Sequence, residues 1–537
     1  MSGWNFAASW QAITRTAPDF VAIVCGDHRL TYREFDDRAR RLASHLHARG
    51  LRPGDKVAID LVNRPEYLET FYAALLLGCV PVNVNYRYVA EELTYLLDNS
   101  DAMAIVVEPA FAEVARAAVA ALDPVHDPAR EPSRGHRPPL LLETGGSYEA
   151  ALAAASPHGA WDRRPPDPDD LIFLYTGGTT GMPKGVMWRN EDLYLALWEM
   201  SRPGVEVRDP VATVEAGKRA AIALPASPLM HGTSLFVAIS TLSGGGTVVL
   251  IDRSGLDPVA IWDAVERERV ALLTIVGDVF ARPLLAVLEA EPERWDLTSL
   301  RAITSSGVTW SPETKRGLLR HLPGTTLLDS LGASEGLMTR SAHSATDAEI
   351  KPARFAVNDR LKVITDDGRI VEPGSDEVGM VGVGGHIPLG YYKDEQKSAA
   401  TFRTVNGTRY SVPGDYATVG TDGTITLLGR GSACINTGGE KVYPEEVELL
   451  LRRYPGVFDC VVVGVPDPRY GEMVVAIVQA TDGHPPDEAA LVAFCREHIA
   501  GYKRPKRFLF VDSLERSAAG KANYARLRTL AAESLTE

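Results

Sequence analysis

The sequence predicts an α/β protein: a large N-terminal domain of parallel-sheet α/β layers with a β subdomain, then a small α+β C-terminal domain. Three observations carry this. At 537 residues the chain exceeds what one hydrophobic core usually supports, so two or more domains are expected. Short apolar runs alternate with helix-start signals over most of its length, which means largely parallel sheets covered by helices. Residues 350 to 430 change character, with short strands between Asp-Gly and Pro-Gly turns, the pattern of an antiparallel β subdomain.

Taken in order, Thr31 and Glu34 have capping-box spacing and open a helix. Asp55 to Leu61 reads as a strand, Glu66 to Leu77 as a helix stopped by Gly78, and Pro81 to Asn85 as the next strand. From Ala110 to Asp170 the chain is rich in Ala, Pro and Arg and reads as surface helix plus irregular connector. Asn190, followed by Glu191 and Asp192, is an expected N-cap with acids in the first turn. Strands are expected at Ala221–Leu224, Thr247–Leu250, Leu272–Val276 and Thr325–Leu328, and helices start at Asp257-Pro258 and Ser311-Pro312. Beyond residue 430, a helix from Pro444, two β-rich runs and a helix near Glu488 make a separate unit.

Composition narrows the function. Apolar residues at 45% and charged residues at 23% are those of a soluble globular protein. Fifty-six basic against 70 acidic side chains give −14, which argues against bulk binding to nucleic acid or anionic membrane. Anionic ligands would have to be held by local positive groups. Five cysteines without C-x-x-C spacing indicate a reducing compartment and no zinc site. The first residues lack a secretory pattern and no apolar run reaches spanning length, so a cytoplasmic protein is expected.

The most informative stretch is Leu171-Ile172-Phe173-Leu174-Tyr175-Thr176-Gly177-Gly178-Thr179-Thr180-Gly181-Met182-Pro183-Lys184-Gly185-Val186. Its first five residues read as a buried strand. The remaining residues are expected to be irregular: glycines with open N–H groups, threonine hydroxyls and one ammonium, a set that suits a polyphosphate. An ordinary Gly-rich surface turn is the plainer alternative. The spacing G-x-x-x-x-G-K-[ST] is absent, so a nucleotide would not be held in the P-loop manner.

This stretch resembles the phosphate loop of the adenylate-forming superfamily, Tyr-Thr-Ser-Gly-Thr-Thr-Gly-x-Pro-Lys-Gly, with Gly177-Gly178 in place of Ser-Gly. The resemblance implies that Thr176, Gly177, Gly178, Thr179, Thr180, Gly181 and Lys184 face the phosphates of ATP. Further segments match in order along nearly the whole chain. In Pro225 to Gly232, the resemblance implies a place for His231 beside the acyl carboxylate, although a lone His is more often structural. The resemblance implies that Ser306 and Gly307 border adenine and the acyl pocket; Trp310 beside them reads rather as core. In Asp329-Ser330-Leu331-Gly332-Ala333-Ser334-Glu335, the resemblance assigns Asp329 to the adenine amino group, Ser330 and Leu331 to the nucleotide, Ser334 to phosphate and Glu335 to Mg²⁺. Leu331 stands where the family has Tyr, which removes a stacking partner. The same residues contain Gly332-x-Ser334-x-Gly336, formally a hydrolase nucleophile elbow.

Asp415 resembles the ribose-binding Asp, and Arg430 is expected at ribose or phosphate. Ser432 takes the pivot position, where Asp or Lys is usual. Gly438, Gly439 and Lys441 resemble the pantetheine-facing loop, and Lys521 the C-terminal catalytic lysine, here after Glu515 where Pro is common. The basic run Lys503 to Arg507 is a candidate patch for CoA phosphates or a solvated face.

The resemblance therefore implies an AMP-forming acyl-CoA synthetase. ATP, Mg²⁺ and CoA would act on a fatty acid or steroid-derived carboxylate in an adenylation domain at 1–430, with a mobile C-terminal domain at 431–537. Lys521, Lys184, Glu335 and His231 would be the catalytic set. The pocket would be lined from Met230 to Phe236, Val276 to Phe280 and Ser306 to Trp310. A homodimer is left open. Alternatives are an acyl-AMP ligase that loads a carrier protein, a hydrolase using Ser334, and a non-catalytic nucleotide binder.

Overall fold

A computed structural model describes every residue except 1–2, 123–137, 177–182, 203, 208, 216–219, 254, 308–309, 348–353, 431–434, 438–439, 468–470, 482–485, 500, 518–521 and 536–537. The chain divides into two compact units. The first is Met1–Gly177, Met182–Ala353 and Gly385–Phe402; the second includes Arg354–Gly384 and Arg403–Glu537.

The first unit holds two large sheets. One runs, strand beside strand, Gly336–His343, Thr326–Ala333, Ala302–Ser306, Leu272–Ile275, Ile222–Pro225, Thr247–Leu250, Val21–Cys25 and His28–Thr31. Its inner pairs are parallel and its two edges antiparallel. Parallel strands need covering on both faces. Helices Pro258–Arg267, Gly277–Ala290 and Pro312–His321 contribute Trp262, Leu284 and Leu318 to the buried core on this sheet. The second sheet runs Gly390–Tyr391, Lys184–Arg189, Leu171–Thr176, Val80–Asn83, Lys56–Asp60, Ala102–Val107 and Leu140–Glu143, with a parallel centre.

Local chemistry explains the element ends. Thr31 and Glu34 form the expected capping box of helix Tyr32–Ala48. Asp257 and Ser311 accept from the backbone of Ala260 and Thr314, each with Pro at the first helical position. Gly78 ends helix Pro65–Leu77 at φ 68°, a conformation that only glycine takes cheaply. Two readings are corrected. Leu140–Glu143 is a strand, not connector: its short Leu run extends the parallel ladder beside Ala102–Val107. Asn190 is the first residue of helix Asn190–Ser201 and not its cap; it is fully buried, and its Oδ1 accepts from Phe6 N at 2.9 Å, a tertiary partner that outbids the local one.

In the second unit, Arg354–Gly384 and residues 403–430 supply an antiparallel sheet, as their turn chemistry predicts. The tail forms a further sheet from Glu440–Val442, Ile435–Thr437, Gly471–Ala480, Val457–Asp467 and Arg507–Val511, flanked by helices Pro444–Leu451, Glu488–His498 and Tyr524–Ser534. Strand Arg507–Val511, parallel to Gly471–Ala480, and the last helix add to the elements that the sequence predicts.

Candidate active site

Strands Leu171–Thr176 and Lys184–Arg189 pair antiparallel, so that Tyr175 faces Gly185 and Thr176 faces Lys184. Lys184 is therefore the first residue of a strand, a correction to the irregular structure expected there; apolar Val186 and Trp188 extend the ladder. Gly185 is required, since a Cβ would come within 2.6 Å of the Tyr175 ring. Gly177, Gly178, Thr179, Thr180 and Gly181 lie outside the described residues.

Two buried asparagines tie the sheet that carries this hairpin to the neighbouring sheet. Asn83 Nδ2 donates to Tyr175 O at 2.9 Å and Met230 O at 2.7 Å, and its Oδ1 accepts from Tyr175 N at 2.6 Å. Asn63 donates to Pro225 O and Ser227 O and accepts from Leu229 N at 2.7 Å. Both were missed by sequence reasoning. The available signal was an Asn at or just past the carboxyl end of a buried strand, where ligands of open α/β sheets lie. Together they fix the segment that leads to His231, which stands immediately before helix Gly232–Ser243 and whose carbonyl accepts from Leu235 N. Met230 and Phe236 flank it and are buried.

Lys184 Nζ pairs with Asp394 Oδ2 at 2.5 Å, and its charge lies 5.9 Å from the centre of the Tyr391 ring. The ammonium holds the Asp394 carboxyl below the usual carboxylate range. Tyr391, which pairs with Val186, donates its hydroxyl to Glu335 Oε1 at 2.8 Å. Trp188 Nε1 donates to Ser334 O at 2.9 Å. One strand and one short segment thus bring the loop lysine, the Ser334–Glu335 turn and Asp394 together. Neither Tyr391 nor Asp394 carries a sequence signal of its own.

Ser334 and Glu335 form the tip of a hairpin between Thr326–Ala333 and Gly336–His343. A nucleophile elbow needs a strand-to-helix turn. The hydrolase reading of Ser334 therefore fails on geometry. Among the described residues, no group of three or more His, Cys, Asp or Glu could hold a metal by itself. A single carboxylate at Glu335, completed by phosphate oxygens, is the donor set that Mg²⁺ accepts.

Asp329 and Ser330 stand in register with Ser305 and Ser306, and Gly307 comes next at φ 85°, where a side chain would be strained. Leu331 opposes Thr339 and is half-buried. Asp329 is also the counter-ion of Lys315, which is fully buried: Nζ to Oδ2 is 2.5 Å, with His343 Nε2 at 3.5 Å. Sequence reasoning missed Lys315 because lysine is seldom buried without a partner. Trp310, Val276 and Phe280 belong to the core on this sheet, so Trp310 is core as expected.

In the second unit, Asp415 and Arg430 stand directly opposite one another on paired strands. Lys441 lies in Glu440–Val442, opposite Asn436. Ser432, Gly438, Gly439 and Lys521 lie outside the described residues. The ends of the segment carrying Lys521 are both anchored: Arg516 Nε pairs with Asp459 Oδ2 at 2.6 Å, and Tyr524 donates to Glu448 Oε1 at 3.3 Å. Arg452 joins both acids, at 3.1 Å to Glu448 and 3.0 Å to Asp459. Lys503 is paired with Glu446 at 2.7 Å, and Arg504 and Lys506 donate to backbone carbonyls, so much of the basic run has internal partners.

Residues 10–392 match the AMP-binding enzyme family, and residues 446–521 match the AMP-binding enzyme C-terminal domain. The medium/long-chain-fatty-acid–CoA/3-oxocholest-4-en-26-oate–CoA ligase of Mycobacterium tuberculosis is 43% identical over 522 residues, 94% of this chain and 92% of that protein. The 3-oxocholest-4-en-26-oate–CoA ligase of Rhodococcus rhodochrous is 41% identical over 533 residues, with the same 94% and 92% coverage. Among solved structures, ATP-bound MatB from Rhodopseudomonas palustris aligns with a TM-score of 0.79 at 26% identity, covering 99% of this chain and 100% of that one. An anthranilate CoA ligase in complex with anthranoyl-AMP aligns with a TM-score of 0.81 at 22% identity, covering 100% and 98%, and so shares the fold.

Proposed function

Since the chain belongs to the AMP-binding enzyme family, we propose that it is an AMP-forming acid–thiol ligase acting on a fatty acid or steroid-derived carboxylate. It joins the acid to the α-phosphate of ATP, releases pyrophosphate, and passes the acyl group from the adenylate to the thiol of CoA with release of AMP. The observation that carries this is the 41–43% identity, over 94% of the chain, to CoA ligases of medium- and long-chain fatty acids and of 3-oxocholest-4-en-26-oate.

A carboxylate is a poor electrophile, and adenylation gives it a leaving group. Negative charge builds at the α-phosphorus, and cations already in place stabilise it most cheaply. Lys184 supplies one, released from Asp394 when phosphate takes its place. Glu335, oriented by Tyr391, would hold Mg²⁺, whose chemistry is to neutralise phosphate oxygens. Lys521 supplies the cation at the acyl carboxylate and α-phosphate. Thr176, the loop 177–181 and Ser334 receive the phosphates. Asp329, Ser330, Leu331, Ser306 and Gly307 receive adenine, and Asp415 with Arg430 the ribose. His231 positions the acyl carboxylate, and Gly439 and Lys441 receive CoA. We assign residues 1–430 to adenylation and 431–537 to the lysine and the CoA-facing loop. Among the described residues no helix is long and apolar enough to cross a membrane, and the scattered thiols support a cytoplasmic enzyme.

The test is pyrophosphate release with ATP over acids of increasing length and ring content, with CoA or a carrier protein as acceptor. Acyl-CoA product from long-chain or steroid acids supports the reading. Transfer only to carrier protein makes the chain an acyl-AMP ligase instead.

A further inference from the structure

Strand Gly336–His343 carries a cation that the proposed chemistry does not use. Arg340 stands opposite Ser330, and Ser330 stands opposite Ser306, the last residue of its own strand. The guanidinium therefore belongs to the carboxyl end of the parallel ladder, where sheets of this kind take ligands. Arg340 Nε donates to Ser330 Oγ at 3.1 Å, and Ser330 Oγ lies 3.2 Å from Thr304 Oγ1. That is the only hydrogen bond of the Arg340 side chain among the described residues, and no carboxylate among them pairs with it.

The contrast with other buried or half-buried cations is direct, Arg340 itself being half-buried. Lys315 has Asp329, Arg38 has Glu69, and Arg452 has Glu448 and Asp459. A desolvated charge without a counter-ion is costly, and burial alone pulls the Arg340 guanidinium below its ordinary range. The same face of the sheet continues the polarity. Thr304 is in register with Thr274, whose Oγ1 is buried and has no partner. Sheet faces covered on both sides are ordinarily apolar, so a strip of hydroxyls ending in a guanidinium needs a reason. The strip begins at Ser330, on the adenine side, and is remote only from the phosphate side: Arg340 is five residues of strand beyond Glu335, about 16 Å at roughly 3.3 Å per residue. A long acyl chain or a fused ring skeleton spans that distance.

We propose that Arg340 is a specificity-determining residue of the acid site. Its guanidinium, backed by Ser330 and Thr304, takes a hydrogen-bond acceptor at the far end of the acid, a ketone or a second carboxylate, while the reacting carboxylate stays at the nucleotide. This rests on the proposed ligase function and narrows its substrate class to acceptor-terminated acids.

The experiment uses the full chain with ATP and CoA, and three acids of one length: tetradecanoate, tetradecanedioate and 13-oxotetradecanoate. Wild type should favour the diacid or the keto acid over the plain acid in kcat/KM, and which of the two leads identifies the acceptor. Arg340→Met should lose on the order of 10–100-fold on the favoured acid through KM, the scale of a lost charge-assisted hydrogen bond. Tetradecanoate turnover and the KM for ATP should stay unchanged, and Arg340→Lys should restore part of the preference. The proposal is overturned if wild type shows no preference, if Arg340→Met lowers all three acids equally, or if the KM for ATP rises. Should wild type release no pyrophosphate with any acid, the ligase reading falls, and calorimetric binding of the diacid decides for Arg340. Binding by wild type that is lost in Arg340→Met upholds the site; any other result overturns it.

Discussion

The Tyr391 hydroxyl donates to Glu335 Oε1 at 2.8 Å, although the two residues lie 56 positions apart. Tyr391 reaches Glu335 because it pairs with Val186 at the edge of the sheet that carries the phosphate hairpin. Its ring stands near Lys184 and its hydroxyl fixes the carboxylate proposed to hold Mg²⁺.

Tyr391→Phe keeps the ring and removes this bond. Outer partners of metal ligands are typically worth about 10–100-fold in metal affinity. The Mg²⁺ concentration for half-maximal pyrophosphate release should rise by about tenfold. An unchanged Mg²⁺ titration would show that Tyr391 only packs.

The Lys184–Asp394 pair is 39% and 29% exposed, so it is worth at most about 1 kcal/mol. Asp394→Asn should leave Tm nearly unchanged and lower the KM for ATP by about 2–5-fold, because phosphate no longer displaces a counter-ion. Lys184→Met should slow adenylation by on the order of 10²–10³. A raised KM for ATP in Asp394→Asn would mean that Asp394 orients Lys184 rather than neutralising it.

Lys521→Ala should slow adenylation by on the order of 10²–10³, the scale of one lost transition-state donor. Thioester formation from supplied acyl-adenylate should be largely spared. Tyr524→Phe, which loosens one end of the same segment from Glu448, should reduce adenylation by a few-fold in wild type and not at all in Lys521→Ala, since effects on one device do not add. Equal losses in both backgrounds would mark Tyr524 as merely structural.

Asp60 is 2% exposed, its Oδ1 has no partner, and burial with Glu108 nearby pushes its carboxyl up to about 7. The folded chain then binds a proton that the unfolded chain, with an ordinary Asp near 3.8, has already released. Stability should fall as pH rises from about 4 to 7 and level off above. Asp60→Asn should flatten that slope and raise Tm most at pH 8, which thermal melts from pH 5 to 8 would detect. Parallel curves for the two proteins would place the acidic slope elsewhere.

Capping and turn positions were legible because they are local. Thr31 with Glu34, Asp257-Pro258 and Ser311-Pro312 each find their partners within four residues. Leu140–Glu143 was not, since a run of four residues acquires strand character only by pairing with Ala102–Val107. Asn190 shows the limit of local rules: its side chain serves Phe6, 184 residues away.

The sequence by itself determined the chemistry. An ordered run of Gly, Thr and Lys, together with Glu335, Asp415, Arg430 and Lys521, resembles the pattern of enzymes that join an acid to ATP, and that resemblance is written in the order of the residues. Tertiary structure decided what each side chain has for company. It made Lys184 the first residue of a strand, gave Asp329 to Lys315 and Tyr391 to Glu335, and left Arg340 without a carboxylate among the described residues. The physical reason is that charge and hydrogen-bond partners are chosen across strands and sheets, between residues whose separation in sequence carries no trace of their pairing.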